Sequence, residues 1–178
     1  MKRYGLSFIF ALALGATAAA QTAPQNADRA YTLVGTWSCE SMAHSVGTMT
    51  FTQNPDGSLS MKNMFQFPNG TPAEIDETYH FDAAANVWKW SLSQPTGPEF
   101  RQDGTAPPWT AEKWLFSGSV FQVAVPPPGS IQPPRTSKQP LRMIYTDLNA
   151  TALRREFEVV RAGRWVTYSG STCKKLAP

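Results

Sequence analysis

The chain has 178 residues, 42% of them hydrophobic and 12% aromatic, which is ample for one filled core and too apolar for a disordered chain. Its formal net charge is +3, but Lys2 and Arg3 lie in a leader-like segment and without them it is +1, so a nucleic-acid partner is not indicated. After that leader no stretch approaches the roughly 18–20 uninterrupted apolar residues of a membrane helix, and no membrane span is expected.

Residues 1–20 have the layout of a secretory signal peptide: Lys2 and Arg3, an apolar run over 6–14, and Ala18-Ala19-Ala20 as an A-x-A cleavage site before Gln21. The expected destination is outside the cytoplasm, periplasmic or secreted. Residues 21–32 read as a flexible lead-in, which leaves 33–178 as one domain. In an oxidising compartment the two cysteines, Cys39 and Cys173, are expected to form one disulfide, the alternative being two buried thiols. The histidines, His44 and His80, make no metal-ligand spacing with them, and no metal or other cofactor is implied.

From residue 33 onward, short runs rich in Val, Thr, Phe, Tyr and Trp alternate with Gly, Pro, Asn and Asp clusters, and no helical period persists. The pattern predicts an all-β protein, a single antiparallel up-and-down barrel of about ten strands. The expected strands are 33–41, 47–54, 58–66, 73–81, 87–94, 112–117, 120–125, 141–148, 153–161 and 164–174. In the first, alternation turns Leu33, Gly35, Trp37 and Cys39 to one face, making Trp37 a plug for the barrel floor. Asn54-Pro55-Asp56-Gly57 and Ala162-Gly163 read as hairpin turns. Even-numbered connections are short, the sixth falling at Gly118, whereas 42–46, 67–72, 95–111 and 126–140 are long. One end is thus closed by turns and the other rimmed by loops, as in a barrel that binds at its mouth. This layout carries a conflict, because a climbing first strand holds Cys39 high and a descending tenth holds Cys173 low. Either the last strand is long and offset, or the strand count is wrong.

Gly35-Thr36-Trp37 resembles the lipocalin and calycin signature, a G-x-W on the first barrel strand. Tyr145-Thr146-Asp147, followed by Arg154 and Arg155, resembles the later Thr-Asp element and late-strand arginine of that family. The resemblance implies a lipocalin-like barrel with the arginine packed across Trp37. The chain is also similar to small exported bacterial proteins that begin with Gly-Thr-Trp and end with a cysteine-bearing strand. Nitrobindin-like haem barrels share Gly-Thr-Trp as well, but they place the haem-ligating histidine late in the chain, and no histidine follows His80 here.

Two strands carry candidate chemistry. Over 74–82, Glu74, Asp76, Thr78, His80 and Asp82 share one face, opposite Ile75, Glu77, Tyr79 and Phe81. The polar face reads as the solvent side, the alternative being a chelating pair of His80 with Asp76 or Asp82. Over 153–159, Arg155 falls on the apolar face with Leu153, Phe157 and Val159. A guanidinium inside a barrel needs a partner. Either it braces the interior, against Glu77 or over Trp37, or it holds a ligand's carboxylate or phosphate. The brace is the commoner fate.

The sequence has no G-x-S-x-G elbow, glycine-rich phosphate loop or motif-spaced nucleophile and base, so a binding protein is expected rather than an enzyme. Its expected occupant is a small apolar or amphipathic molecule. Trp37, Tyr79, Phe81, Arg155 and Phe157 are expected to line the interior, with His44, Phe100 and Trp109 around the mouth. A second hypothesis makes the long Pro-rich connections the contact surface for a protein partner, as in an inhibitor. A third, enzymatic, needs a haem or a metal. A filled interior favours the protein partner, and a cavity of roughly 300 Å³ or more favours the small ligand. The protein is expected to be a monomer.

Overall fold

A computed structural model describes residues 29–66, 70, 72–93, 100–149 and 151–177. The signal-like segment and residues 21–28 of the lead-in lie outside the described residues. Ten antiparallel strands follow in chain order: β1 (Gly35–Ser41), β2 (Val46–Gln53), β3 (Leu59–Gln66), β4 (Pro72–Asp82), β5 (Val87–Ser93), β6 (Phe100–Ala106), β7 (Lys113–Ala124), β8 (Arg135–Asn149), β9 (Ala152–Arg161) and β10 (Arg164–Lys175). Each pairs with its neighbour in sequence, and β10 returns to β1, so the sheet closes into an up-and-down barrel. This is the expected fold class.

The expected number of strands is right through two misreadings that cancel. Segments 112–117 and 120–125 are halves of β7, and Gly118 is no turn. It lies in mid-strand opposite Gly104, where an added Cβ would sit 1.8 Å from the Asp103 carbonyl oxygen. Glycine here lets two backbones approach closely. Conversely, the expected connection 95–111 contains β6. After Phe100 the inward residues of that strand, Gln102, Gly104 and Ala106, are buried but small or polar, so the alternation leaves little trace in hydrophobicity. Restoring β6 puts the segments on either side of it at opposite ends of the barrel, and Trp109 changes ends.

Strands β7 to β10 have 12, 15, 10 and 12 residues, against 7, 8 and 8 for β1 to β3. Residues 119–124 of β7 and 135–140 of β8 pair with each other beyond the residues that β9 pairs; 119–122 still pair with β6, so only 123–124 and 135–136 continue as a two-stranded ribbon at the rim. Pro140 is tolerated within β8 because its missing N–H falls where the strand has lost a neighbour. At the seam, residues 171–175 of β10 pair with 37–41 of β1, and the rest of β10 overshoots. That offset brings Cys39 and Cys173 into direct register, disulfide-bonded with Cα atoms 4.1 Å apart. The long, offset last strand is what reconciles the two heights.

A short 3₁₀ helix, Arg29–Leu33, crosses the closed end. It takes in the end of the expected lead-in and the first residue of the expected first strand. Tyr31 donates its hydroxyl to the Gly57 carbonyl at 3.0 Å, Lys175 donates to the Thr32 carbonyl at 2.8 Å, and the Arg29 N–H donates to Trp109 at 3.0 Å. The Trp37 indole N–H donates to the Leu33 carbonyl at 2.7 Å, so Trp37 does seal the floor. Trp109 stacks on Trp114 with centroids 5.3 Å apart and planes at 8°. Above this plug, Trp88, Trp114, Tyr79, Tyr145, Phe51 and Phe116 fill the lower half of the barrel. A ten-strand barrel is wider than the eight-strand type that side chains just fill, so filling one half takes aromatic bulk.

The β9–β10 hairpin turns through Ala162 (φ 49°) and Gly163 (φ 73°). Alanine in the left-handed region costs about 1–2 kcal/mol, of which about 0.4–1 is offset by its stiffer unfolded chain. Ala162→Gly is therefore expected to stabilise by about 0.5–1 kcal/mol, read as a higher urea midpoint at unchanged slope.

Candidate functional site

Strand β4 turns Ile75, Glu77, Tyr79 and Phe81 inward, as alternation requires, and leaves Glu74, Asp76, Thr78 and His80 exposed. Strand β9 turns Leu153, Arg155 and Phe157 toward them. Glu77 is 2% exposed and Arg155 3%. The Arg155 Nη2 donates to both carboxylate oxygens of Glu77, at 2.6 and 2.5 Å. Glu77 Oε2 also accepts from the Tyr79 hydroxyl and the Trp90 indole N–H, each at 2.7 Å. The hydroxyls of Tyr79 and Tyr145 are 2.8 Å apart. Since the Tyr79 proton points at Glu77, Tyr145 is the donor between them.

Arg155 is thus an internal brace, and its partner is Glu77 rather than Trp37. The cation over Trp37 is Lys175, whose Nζ lies 5.2 Å from the ring centroid, which corrects the packing implied by the lipocalin resemblance. The remaining guanidinium contacts are soft: Nε and Nη1 reach the sulfurs of Met143 and Met49 at 3.4 and 3.8 Å, and the group lies over Phe157 at 4.5 Å. Burial works against the Arg155 charge, but adjacent Glu77, with the two tyrosine hydroxyls, outweighs it and holds the guanidinium firmly protonated.

Burial, reinforced by the Glu77 charge, pushes both the Tyr79 and the Tyr145 hydroxyls above the ordinary value of 10.0. Their contribution to stability is therefore fully present below pH 10 and is lost as pH rises further, because the unfolded chain ionises while the folded one does not. Stability is expected to fall above pH 10 by up to about 1.4 kcal/mol per pH unit for each tyrosine. Thermal melts between pH 9 and 11.5 check this, and Tyr145→Phe is expected to flatten the slope.

Above the Glu77–Arg155 pair the barrel is not filled. A cavity of about 580 Å³ runs up to the exposed β1–β2 turn at Met42 and Ala43. Its walls include Phe65, Ile75, Phe100, Phe157 and Tyr168, and lower down it meets Met49, Glu77, Leu92, Gln102 and Arg155. Of the expected site residues, Arg155, Phe157 and Phe100 line it. The structure places the other five elsewhere. Trp37 and Trp109, the latter 2% exposed, belong to the floor at the opposite end, so Trp109 is no rim residue. Tyr79 lies beneath Glu77 in the filled half, and Phe81 packs on Trp88 at 5.6 Å, lower still. His44 stands at the rim but faces outward, 3.4 Å from Glu40 in a separate groove with Arg154 and Glu156. Gln102 and Tyr168 were not legible as site residues. Gln102 lies on the strand that hydrophobicity hides, and Tyr168 is the extra residue of a bulge between Thr167 and Ser169 that breaks the alternation of β10.

Geometrically this is a closed ten-strand barrel with a plugged floor, a buried ion pair at mid-height and an open cavity above it. Neither protein-family models nor curated proteins give a match to the chain.

Proposed function

We propose that this protein is an exported, monomeric carrier that holds a small amphipathic molecule reversibly in its barrel. The observation that carries this reading is the cavity of about 580 Å³, well above the roughly 300 Å³ at which ligand pockets begin. Its mostly apolar wall, interrupted by a few polar groups, is the usual composition of such sites. The leader-like segment and the disulfide support export, and Gly35-Thr36-Trp37 supports a lipocalin-like kinship. A second reading, a protein-binding module, is favoured by one feature: the β7–β8 ribbon, whose Pro-rich tip carries Ile131 fully exposed.

Native mass spectrometry of protein purified from its own cells tests the first reading. Extra mass that is lost on denaturation is expected, at the formula weight of one small molecule. A bare mass after gentle purification, with no uptake of lipophilic probes, would overturn it and favour the ribbon.

A further inference from the structure

The charged and amide groups of the cavity, Glu77, Arg155 and Gln102, lie at its bottom; its upper wall mixes apolar side chains with the uncharged Asn63, Ser45 and Ser169. One rung nearer the rim on each strand, Ile75 stands over Glu77, Phe157 over Arg155 and Phe100 over Gln102. Among the described lining residues Glu77 and Arg155 alone are charged, and they neutralise each other. Glu77 is fully engaged by Arg155, Tyr79 and Trp90. An entering carboxylate would compete with it for Arg155 and would add a charge with no counterpart beside two groups that are themselves 2–3% exposed, which is penalised heavily.

Two polar atoms near this floor remain under-used. Gln102 is 4% exposed; its Nε2 donates to the Tyr168 hydroxyl at 2.8 Å, and its Oε1 has no hydrogen-bond partner among the described residues. Interchanging the amide nitrogen and oxygen only changes which of the two is orphaned. The terminal torsion of glutamine is soft, so the amide turns readily toward the cavity it lines. Arg155 Nη1 has a thioether as its acceptor, the Met49 sulfur at 3.8 Å, which is a weak one. A hydroxyl donates and accepts at once, so it suits both atoms and either amide orientation.

We propose that the ligand is electrically neutral and binds head-down, its hydroxyl-bearing head at Gln102 and Arg155 and its apolar body against Ile75, Phe100 and Phe157. This rests on the small-ligand reading and specifies its chemistry. The test is calorimetric titration at pH 8 with decan-1-ol, its methyl ether and decanoate. Wild-type protein is expected to prefer the alcohol over decanoate by at least about tenfold. Gln102→Leu is expected to weaken the alcohol by roughly fivefold to tenfold and leave the ether unchanged. Glu77→Gln frees the Arg155 charge for the ligand and is expected to shift the preference toward decanoate by at least about tenfold. Because Glu77→Gln also disturbs the ion pair, the Gln102→Leu comparison decides by itself if that variant does not fold. Decanoate binding wild type as tightly as the alcohol, or Gln102→Leu affecting alcohol and ether alike, would overturn the neutral, head-down assignment while the small-ligand reading stands. No binding by any of the three, with a bare native mass, would overturn both.

Discussion

Arg155→Met is expected to cost about 3–5 kcal/mol, a large part of the total stability of a domain this size. The loss does not measure the attraction between Arg155 and Glu77. It measures what happens to Glu77, which sits 2% exposed and is left as a largely desolvated, unpaired charge when its countercharge goes. The double variant Glu77→Gln/Arg155→Met separates these effects. Both charges are then gone, and the glutamine oxygen still accepts from Tyr79 and Trp90, which Glu77→Leu would leave unpaired at about 1–3 kcal/mol each. The double variant is expected within about 1–2 kcal/mol of wild type, because a buried ion pair contributes little net stability once its desolvation is counted. Urea denaturation of both singles and the double gives the coupling energy directly. A double variant as unstable as the singles would locate the importance of these residues in their shape rather than their charge.

Removal of the disulfide, by reduction or by Cys39→Ala/Cys173→Ala, is expected to destabilise by about 4–5 kcal/mol. The two residues are 134 apart in sequence, so the link removes a large amount of freedom from the unfolded chain. It also sits at the weakest place in the barrel, a seam of five register pairs between β1 and β10, where β7 and β8 share twelve. Melting with and without reductant should differ for wild type and coincide for the double alanine variant. A loss below about 1 kcal/mol would mean that the reduced unfolded chain is already compact near the seam.

Sequence was a good guide where inward positions are large and apolar. The stretches around Trp37, 75–81, 88–92 and 153–159 alternate visibly, and their faces are as expected. It misled where the inner face is built from small or polar residues: Gly104 and Gly118 meet across β6 and β7, hiding one strand and seeming to cut the other in two. Alternation also fixes a face without fixing a height. Tyr79 and Phe81 point inward as expected, yet they fall in the filled half because height follows from stagger around the barrel, which no single strand encodes. Arg155 was legible for a different reason: a guanidinium on an apolar face demands a partner, and Glu77 is the acid on the apolar face of another strand.

The seam also governs the order in which the molecule can come into being. A chain made from its amino end produces β1 early and must wait for residues 171–175, near its other end, before that strand gains its second neighbour. Until then the growing sheet has two bare edges, the condition that invites pairing with other chains. Contacts that span nearly the whole chain place folding toward the slow end, on the order of milliseconds to seconds. Enclosure, cross-link and cavity then arrive in one late step. A fragment that stops short of Cys173 would lack all three, so the cavity depends on the last strand as much as on the strands that line it.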